Sequence, residues 1–257
     1  MSYHEFALYV PFLPKNPVVT SSLILDEPIL IHRITRVLRL EQGDCCVVFN
    51  GTYSSKIRIE SIDKKSIIIR FIQVSPLVIQ QPRILLLLPL LDREDMEQAI
   101  RMATVLGVAE IQLLITHKSA KHTVSLDRVQ KISIAACEQS KQFILPIIHK
   151  PVLMNQWLEK QYDKASPLLF FDGDGQSVTK LAMYLDTTHL NTTYLNTKKI
   201  PSYYCLVGPQ GDFIERERTH LEQYIQGAYR LTPSVLRSCD AVALGIGFIR
   251  SWCYTEK

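Results

Sequence analysis

Hydrophobic and polar positions alternate in short bursts along the first 75 residues. EQGDCCVVFNG joins a Gly-Asp turn to a β-rich run and ends on Asn50-Gly51, a strong hairpin signal. KIRIESIDKKSIIIRFIQV carries the alternation through a second hairpin-like turn at Asp63–Lys65. Cys45 and Cys46 are adjacent, so in a strand they point to opposite faces. Upstream, HRITRVLRL (32–40) places Ile34, Val37 and Leu38 on one face and Arg33, Arg36 and Arg39 on others, as a short amphipathic helix does. The pattern predicts a small β-rich domain with a basic helix.

The character changes after Pro76 and Pro82. ILLLLPLL is a continuous apolar run of the kind found in strands buried on both faces. Asp92 is placed to cap the helix DREDMEQAIRMATVLG, whose Met96, Ala99, Ile100, Ala103 and Leu106 fall on one stripe, with Gly107 as its stop. EIQLLIT predicts a second strand, and Ser125 the start of a helix reaching about Gln142. PLLFFDGDG predicts a third strand ending in a turn, followed by a polar Thr/Asn loop over 187–199. SYYCLVGPQG is a fourth strand running into a glycine-rich turn. IERERTHLEQYIQG is a helix stopped at Gly227, AYRL a short strand, and a last helix starts near Cys239. Alternating strands and helices imply a parallel α/β sheet, whose ligands collect beyond the carboxyl ends of the strands.

Composition narrows the picture a little. With 47% hydrophobic and 21% charged residues in 257, the chain reads as an ordinary globular protein with a substantial core. The N-terminus lacks a basic region followed by an apolar run, so no signal peptide is expected, and ILLLLPLL is far too short to span a bilayer. Six cysteines without a CxxC pair or a metal-spaced His/Cys cluster argue against zinc and against a disulfide framework, and favour a cytoplasmic setting. Net charge is only +4. Lys118, Lys121, Arg128, Lys131, Lys141 and Lys150, with His117, His122 and His149, nevertheless make 115–150 a basic stretch suited either to a polyanion or to a solvated helix face.

Gly208-Pro209-Gln210-Gly211 stands between an apolar strand and a helix, where glycine lets the backbone approach a ligand. It is neither GxGxxG nor a Walker loop, and DGDG (172–175) lacks the spacing of a calcium loop. The order strand, GPQG, helix, short strand, LTPSVLR, helix is more specific. It resembles the RsmE family of SPOUT-class methyltransferases, which modify N3 of a uridine in 16S (small-subunit) ribosomal RNA. That family carries Gly-Pro-Glu-Gly-Gly and then Leu-Gly-x-x-Ile/Val-Leu-Arg-x-Glu-Thr. HRITRVLRLEQGD, MEQAIRMATVLGVAEIQLL and AACEQSKQFILP resemble further family segments in the same order.

The resemblance implies a SPOUT-type α/β knot, a parallel sheet with a C-terminal trefoil knot, over 76–257. A small PUA-like β-barrel domain for RNA binding would precede it over 1–75. It implies S-adenosyl-L-methionine as cofactor, held by loops around Phe171–Gly175, Leu206–Gly211 and Leu231–Leu236. The cofactor-binding residues would be Phe171, Leu206, Gly208, Pro209, Gly211, Leu231, Val235 and Leu236. Arg237, matching the family's Leu-Arg, would stabilise negative charge developing on the uracil ring. Arg33, Arg36, Arg39 and Lys118 would contact RNA. No metal is implied. The partners would be small-subunit ribosomal RNA in the 30S particle and a second copy of the chain.

Plainer roles stand beside these: core packing for Leu231, Val235 and Leu236, and an ion pair with Asp240 for Arg237. The chain also departs from the family at polar positions. Gln210 stands for a glutamate and Asp212 for a glycine, and Arg-x-Glu-Thr becomes Arg237-Ser238-Cys239-Asp240, moving the acid by one residue. That step rotates a side chain by about 100° on a helix. The alternatives are a catalytically altered RNA-binding relative or a methyltransferase with another RNA target.

Overall fold

The computed structural model describes residues 6–121, 123–194 and 202–253, so His122 and residues 195–199 of the expected polar loop lie outside the described residues. The chain divides into two compact units, residues 1–78 with 137–144, and residues 79–136 with 145–257.

The first unit contains β1 (Ala7–Tyr9), β2 (Ser22–Leu25), α1 (Pro28–His32), β3 (Cys45–Phe49), β4 (Tyr53–Ile62) and β5 (Ile67–Pro76). Its mixed sheet, ordered β1-β3-β4-β5-β2, has β1 parallel to β3 and the remaining pairs antiparallel. The Asn50-Gly51 turn forms as the pattern predicts: Gly51 has φ +88, and Asn50 Oδ1 accepts the amides of Thr52 and Tyr53. Inward-facing Ile57 and Ile59 alternate with Lys56, Arg58 and Glu60, and buried Ile67, Ile69 and Phe71 alternate with half-buried Ile68 and exposed Arg70, which fixes the register. Cys46 is buried and Cys45 half-buried, on opposite faces.

The basic helix departs from expectation. It starts at Pro28, which suits the first turn because its missing amide needs no partner there. From Arg33 to Val37 it widens into a π-helical turn, with the Leu38 amide donating to the Arg33 carbonyl. The extra residue per turn shifts the phase, so Ile34 is buried while Val37, placed beside it by a 3.6-residue repeat, is 61% exposed.

The second unit alternates strand and helix: β6 (Arg83–Pro89), α2 (Arg93–Val105), β7 (Glu110–Ile115), α3 (Leu126–Ser140), β8 (Ile147–Leu153), α4 (Met154–Lys160), β9 (Leu168–Ser177), α5 (Val178–Tyr194), β10 (Ser202–Val207), α6 (Glu215–Leu221), β11 (Ile225–Arg230) and α7 (Ser238–Trp252). Six parallel strands are ordered β11-β9-β10-β6-β7-β8. β6 lies inside the sheet. Its Ile84, Leu86 and Leu88 enter one core and Leu87 the other, which is why the sequence shows an unbroken apolar run.

Other elements differ from the pattern. β8 and α4 leave no mark in the sequence pattern: β8 is an edge strand with Ile147 and Leu153 exposed and no clean alternation. α5 continues to Tyr194, so 187–194 is helix rather than loop; no Gly or Pro interrupts it. Gly227 belongs to β11, not to a helix end. A Cβ there would stand 2.7 Å from Tyr229 Oη, so any larger residue would displace that ring. Asp92 occupies the N-cap of α2, yet its side chain makes no capping bond.

β9 positions the functional site. Its pairing with β11 jumps from Phe170↔Ala228 to Gln176↔Tyr229, so Phe171–Gly175 leave the ladder and then rejoin it. At the return, a Cβ on Gly175 would lie 2.5 Å from the Tyr229 amide nitrogen, an approach only glycine allows.

Candidate active site

Three segments converge on the carboxyl-end side of the parallel sheet: the Phe171–Gly175 excursion within β9, the turn from Gly208 to Asp212 after β10, and the stretch from Leu231 to Arg237 after β11. They enclose a cleft of about 670 Å³ and an adjoining recess of about 60 Å³. The two share Phe171, Asp172, Gly173, Val235, Leu236 and Ala241. Crevices at strand ends of parallel sheets are the usual ligand sites of such folds.

The turn after β10 is braced from four directions. Ser238 Oγ, at the start of α7, donates to the Gly208 carbonyl at 2.6 Å. Gln210 Nε2 donates to Asp95 Oδ2 of α2 at 2.8 Å. Lys118 Nζ donates to the Gly211 carbonyl at 2.9 Å. Asp212, held in the left-handed region at φ +60, accepts two bonds from Arg218 Nη2, each 2.8 Å. An aspartate tolerates that backbone because its short polar side chain bonds locally, here accepting the Phe213 amide at 2.7 Å.

Arg218 also donates through Nη1 to Asp172 Oδ2 at 2.8 Å, so one guanidinium from α6 ties the excursion to the turn. Its two aspartate partners push its pKa further above the ordinary arginine value, holding the charge fixed. Arg237, at the N-cap of α7, is shared likewise: Nη1 reaches Asp95 Oδ1 at 3.2 Å and Nε reaches Asp240 Oδ2 at 3.1 Å. Hydrogen bonding to Asp240 raises the Arg237 pKa as well. The expected ion pair with Asp240 is therefore present, and the side chain is still 59% exposed on the cleft wall. Burial pushes the Cys239 thiol up to about 11, so it stays protonated at neutral pH.

Of the residues expected to hold a cofactor, Phe171, Gly208, Pro209, Leu231, Val235 and Leu236 line these cavities. Leu206 does not: it is fully buried in the core beneath the cleft. Gly211 lies against Lys118 rather than on the wall. Lys118 itself braces the turn, and Arg33 is engaged by Glu138 through Nη1–Oε1 at 3.0 Å and Nη2–Oε2 at 2.6 Å. Arg36 and Arg39 are exposed. Asp95 and Arg218 carry no signal in the sequence, and Asp172 and Ser238 stand there only as members of the DGDG run and of the Arg237–Asp240 segment. Asp95 reads there as an ordinary acid of a helix first turn, and nothing in the residue pattern marks its burial.

The bare backbone of the site leaves room for a ligand. A Cβ at Gly173 would meet nothing within 4 Å, and one at Gly208 only the Phe213 ring at 3.9 Å. Among the described residues no cluster of His, Cys, Asp or Glu could hold a metal ion, and no helix is long and apolar enough to cross a membrane.

Known proteins share this organisation. The chain is 25% identical over 222 residues to ribosomal RNA small subunit methyltransferase E of Rickettsia conorii, covering 86% of each protein. It is 26% identical to the protein of that name from Helicobacter pylori, covering 85% of this chain and 87% of the relative. Its fold matches ribosomal RNA small subunit methyltransferase E of Neisseria gonorrhoeae bound to S-adenosyl methionine, with a TM-score of 0.77 at 20% identity over 96% and 98% of the two chains. A Legionella pneumophila protein, solved with the same bound cofactor, gives 0.75 at 22% identity over 96% and 97%. The model of the RNA methyltransferase domain family matches residues 79–250, about two thirds of the chain and all three segments around the cleft. The chain therefore belongs to the RNA methyltransferase domain family.

Proposed function

We propose that the protein uses S-adenosylmethionine to methylate N3 of a uridine in small-subunit ribosomal RNA. The observation that carries this reading is the convergence of the three strand-end segments on one cleft whose glycine backbone is open to a ligand. The two relatives above carry the small-subunit name over most of their length.

Phe171, Gly208, Pro209, Leu231, Val235 and Leu236 would hold the cofactor, with Gly211 and Leu206 supporting the turn from behind. When bound, the cofactor supplies an electrophilic methyl group on a sulfonium. Arg237, exposed on the cleft wall and oriented by Asp95 and Asp240, meets the negative charge that develops on the uracil ring as its N3 proton departs. Pairing with carboxylates fixes this guanidinium without using all five of its N–H donors. Gln210 suits the site because its amide can donate to buried Asp95, where a glutamate would set two carboxylates together.

Arg36 in the basic helix and Arg39 just beyond its end at Val37, in the left-handed region at φ +54, are exposed to meet RNA phosphates, with Arg33 fixing the helix to Glu138. A second copy of the chain is the partner favoured by α7, where Leu244 and Trp252 are exposed and Phe248 stacks on Trp252 at the same four-residue spacing. The setting is cytoplasmic, in keeping with six free cysteines. Trefoil threading of the C-terminal segment belongs to the same reading.

Calorimetry with S-adenosylmethionine, followed by methylation of isolated 30S particles and mass mapping of the product, tests it. Donor binding and a new methyluridine in the small-subunit RNA are expected. Methylation of a tRNA pool alone would move the target, and no turnover on any RNA would leave a binding protein.

A further inference from the structure

We propose that Asp92 and Asp174 make the cleft select a cationic donor over the product of zero net charge that remains after methyl transfer. The inference rests on the donor reading above and adds the charge logic of the pocket. Five carboxylates line the cleft (Asp92, Asp95, Asp172, Asp174 and Asp212) against two guanidiniums, Arg218 and Arg237. Arg218 is divided between Asp172 and Asp212, and Arg237 between Asp95 and Asp240, so neither cation neutralises both of its partners.

Asp92 and Asp174 have no cationic partner among the described residues, and both are exposed. Asp92 stands at the head of α2, but its carboxylate makes no capping bond and is not committed to the helix. Asp174 stands within the excursion, next to Gly173, whose surroundings are open. The wall of the cleft thus carries an excess of negative charge beyond what its internal ion pairs consume.

The donor has a sulfonium and an ammonium against a single carboxylate, one net positive charge. In the transfer the carbon–sulfur bond breaks with its electron pair left on sulfur. The methyl group bonds to N3, and the N3 proton passes to a base or to solvent. The remaining thioether is neutral, so the product has lost the charge that the cleft favours. A carboxylate within about 7 Å of a unit positive charge, at an effective dielectric between protein surface and water, would separate donor from product by about three- to tenfold. Because both aspartates are exposed, the preference is screened by salt.

The test is calorimetry of the full chain and of Asp92→Asn, Asp174→Asn and the double variant with three ligands. These are S-adenosylmethionine, S-adenosylhomocysteine, and the aza analogue with a protonated amine in place of the sulfonium. At low salt the parent protein is expected to bind both cationic ligands about tenfold more tightly than the thioether. Each variant should cut that ratio about threefold while leaving thioether affinity unchanged, which also reports an intact pocket. High salt should compress the ratio in the parent protein. An unchanged ratio in the double variant at low salt, with thioether binding retained, overturns the proposal. If the parent protein binds none of the three ligands, the donor reading itself fails and takes this inference with it.

Discussion

The basic helix of the first unit and the cleft of the second handle their arginines differently. In and just after the helix, Arg33 is pinned by Glu138 while Arg36 and Arg39 stand exposed, without an ion pair among the described residues. In the cleft, Arg218 and Arg237 are each divided between two aspartates, and the surplus is acidic. On the proposed function, the first surface would attract phosphates and the second would fix loops and accept a cation. A single net charge of +4 for the chain hides this opposition.

The largest effect should come from breaking the shared arginine of the cleft. Arg218→Met leaves Asp172 and Asp212 facing each other across a part-buried gap, with three charge-assisted bonds gone. A loss of about 2–4 kcal/mol is expected in denaturant unfolding. Donor affinity should fall at least about tenfold if the two loops separate by even an ångström. Unchanged affinity would mean that the clamp is not needed to shape the pocket.

Next comes Gly245→Ala on α7. A Cβ there would lie 2.3 Å from the Phe171 ring, which forms part of both cavities. Overpacking of this kind costs about 1–3 kcal/mol, and the displaced ring should narrow the recess, read as weaker donor binding beyond the loss of stability. Gln210→Glu should cost about 1–2 kcal/mol by opposing Asp95, and Asp95→Asn in the same chain should restore most of it, a coupling measured by a double-mutant cycle. The smallest stability changes, within about 0.5 kcal/mol, belong to Arg36→Ala and Arg39→Ala. Filter binding to small-subunit RNA over a salt series should nevertheless show each lowering the salt slope by about one. If the slope is untouched while Arg237→Ala lowers it, the contrast between the two regions is wrong.

The sequence announced the fold through features with local causes. The Asn50-Gly51 hairpin, the Met96–Ala103 stripe and the buried β6 run each follow from backbone preference or from burial on one or two faces. Their order along the chain was enough to suggest a parallel sheet. What stayed hidden depends on partners distant in sequence. Asp95 meets Gln210 and Arg237 from more than a hundred residues away, and no periodicity marks such an encounter. Arg218 looks like one charge among many in IERERTHL until Asp172 and Asp212 are brought to it. Conversely, Lys118 drew attention as a cation for RNA, yet its ammonium ends on a backbone carbonyl. The π-helical turn at Arg33–Val37 defeated a 3.6-residue repeat for a purely geometric reason.

Because β9 pairs with β11 on both sides of Phe171–Gly175, the excursion is anchored at each end by the same ladder. Such a segment can change length at its tip without disturbing the sheet, and Gly173, with nothing near it, marks where. Residues inserted there would enlarge one wall of the cleft alone. That makes the excursion the natural place to engineer acceptance of bulkier alkyl donors, turning a methylating enzyme into one that tags RNA with a chemical handle.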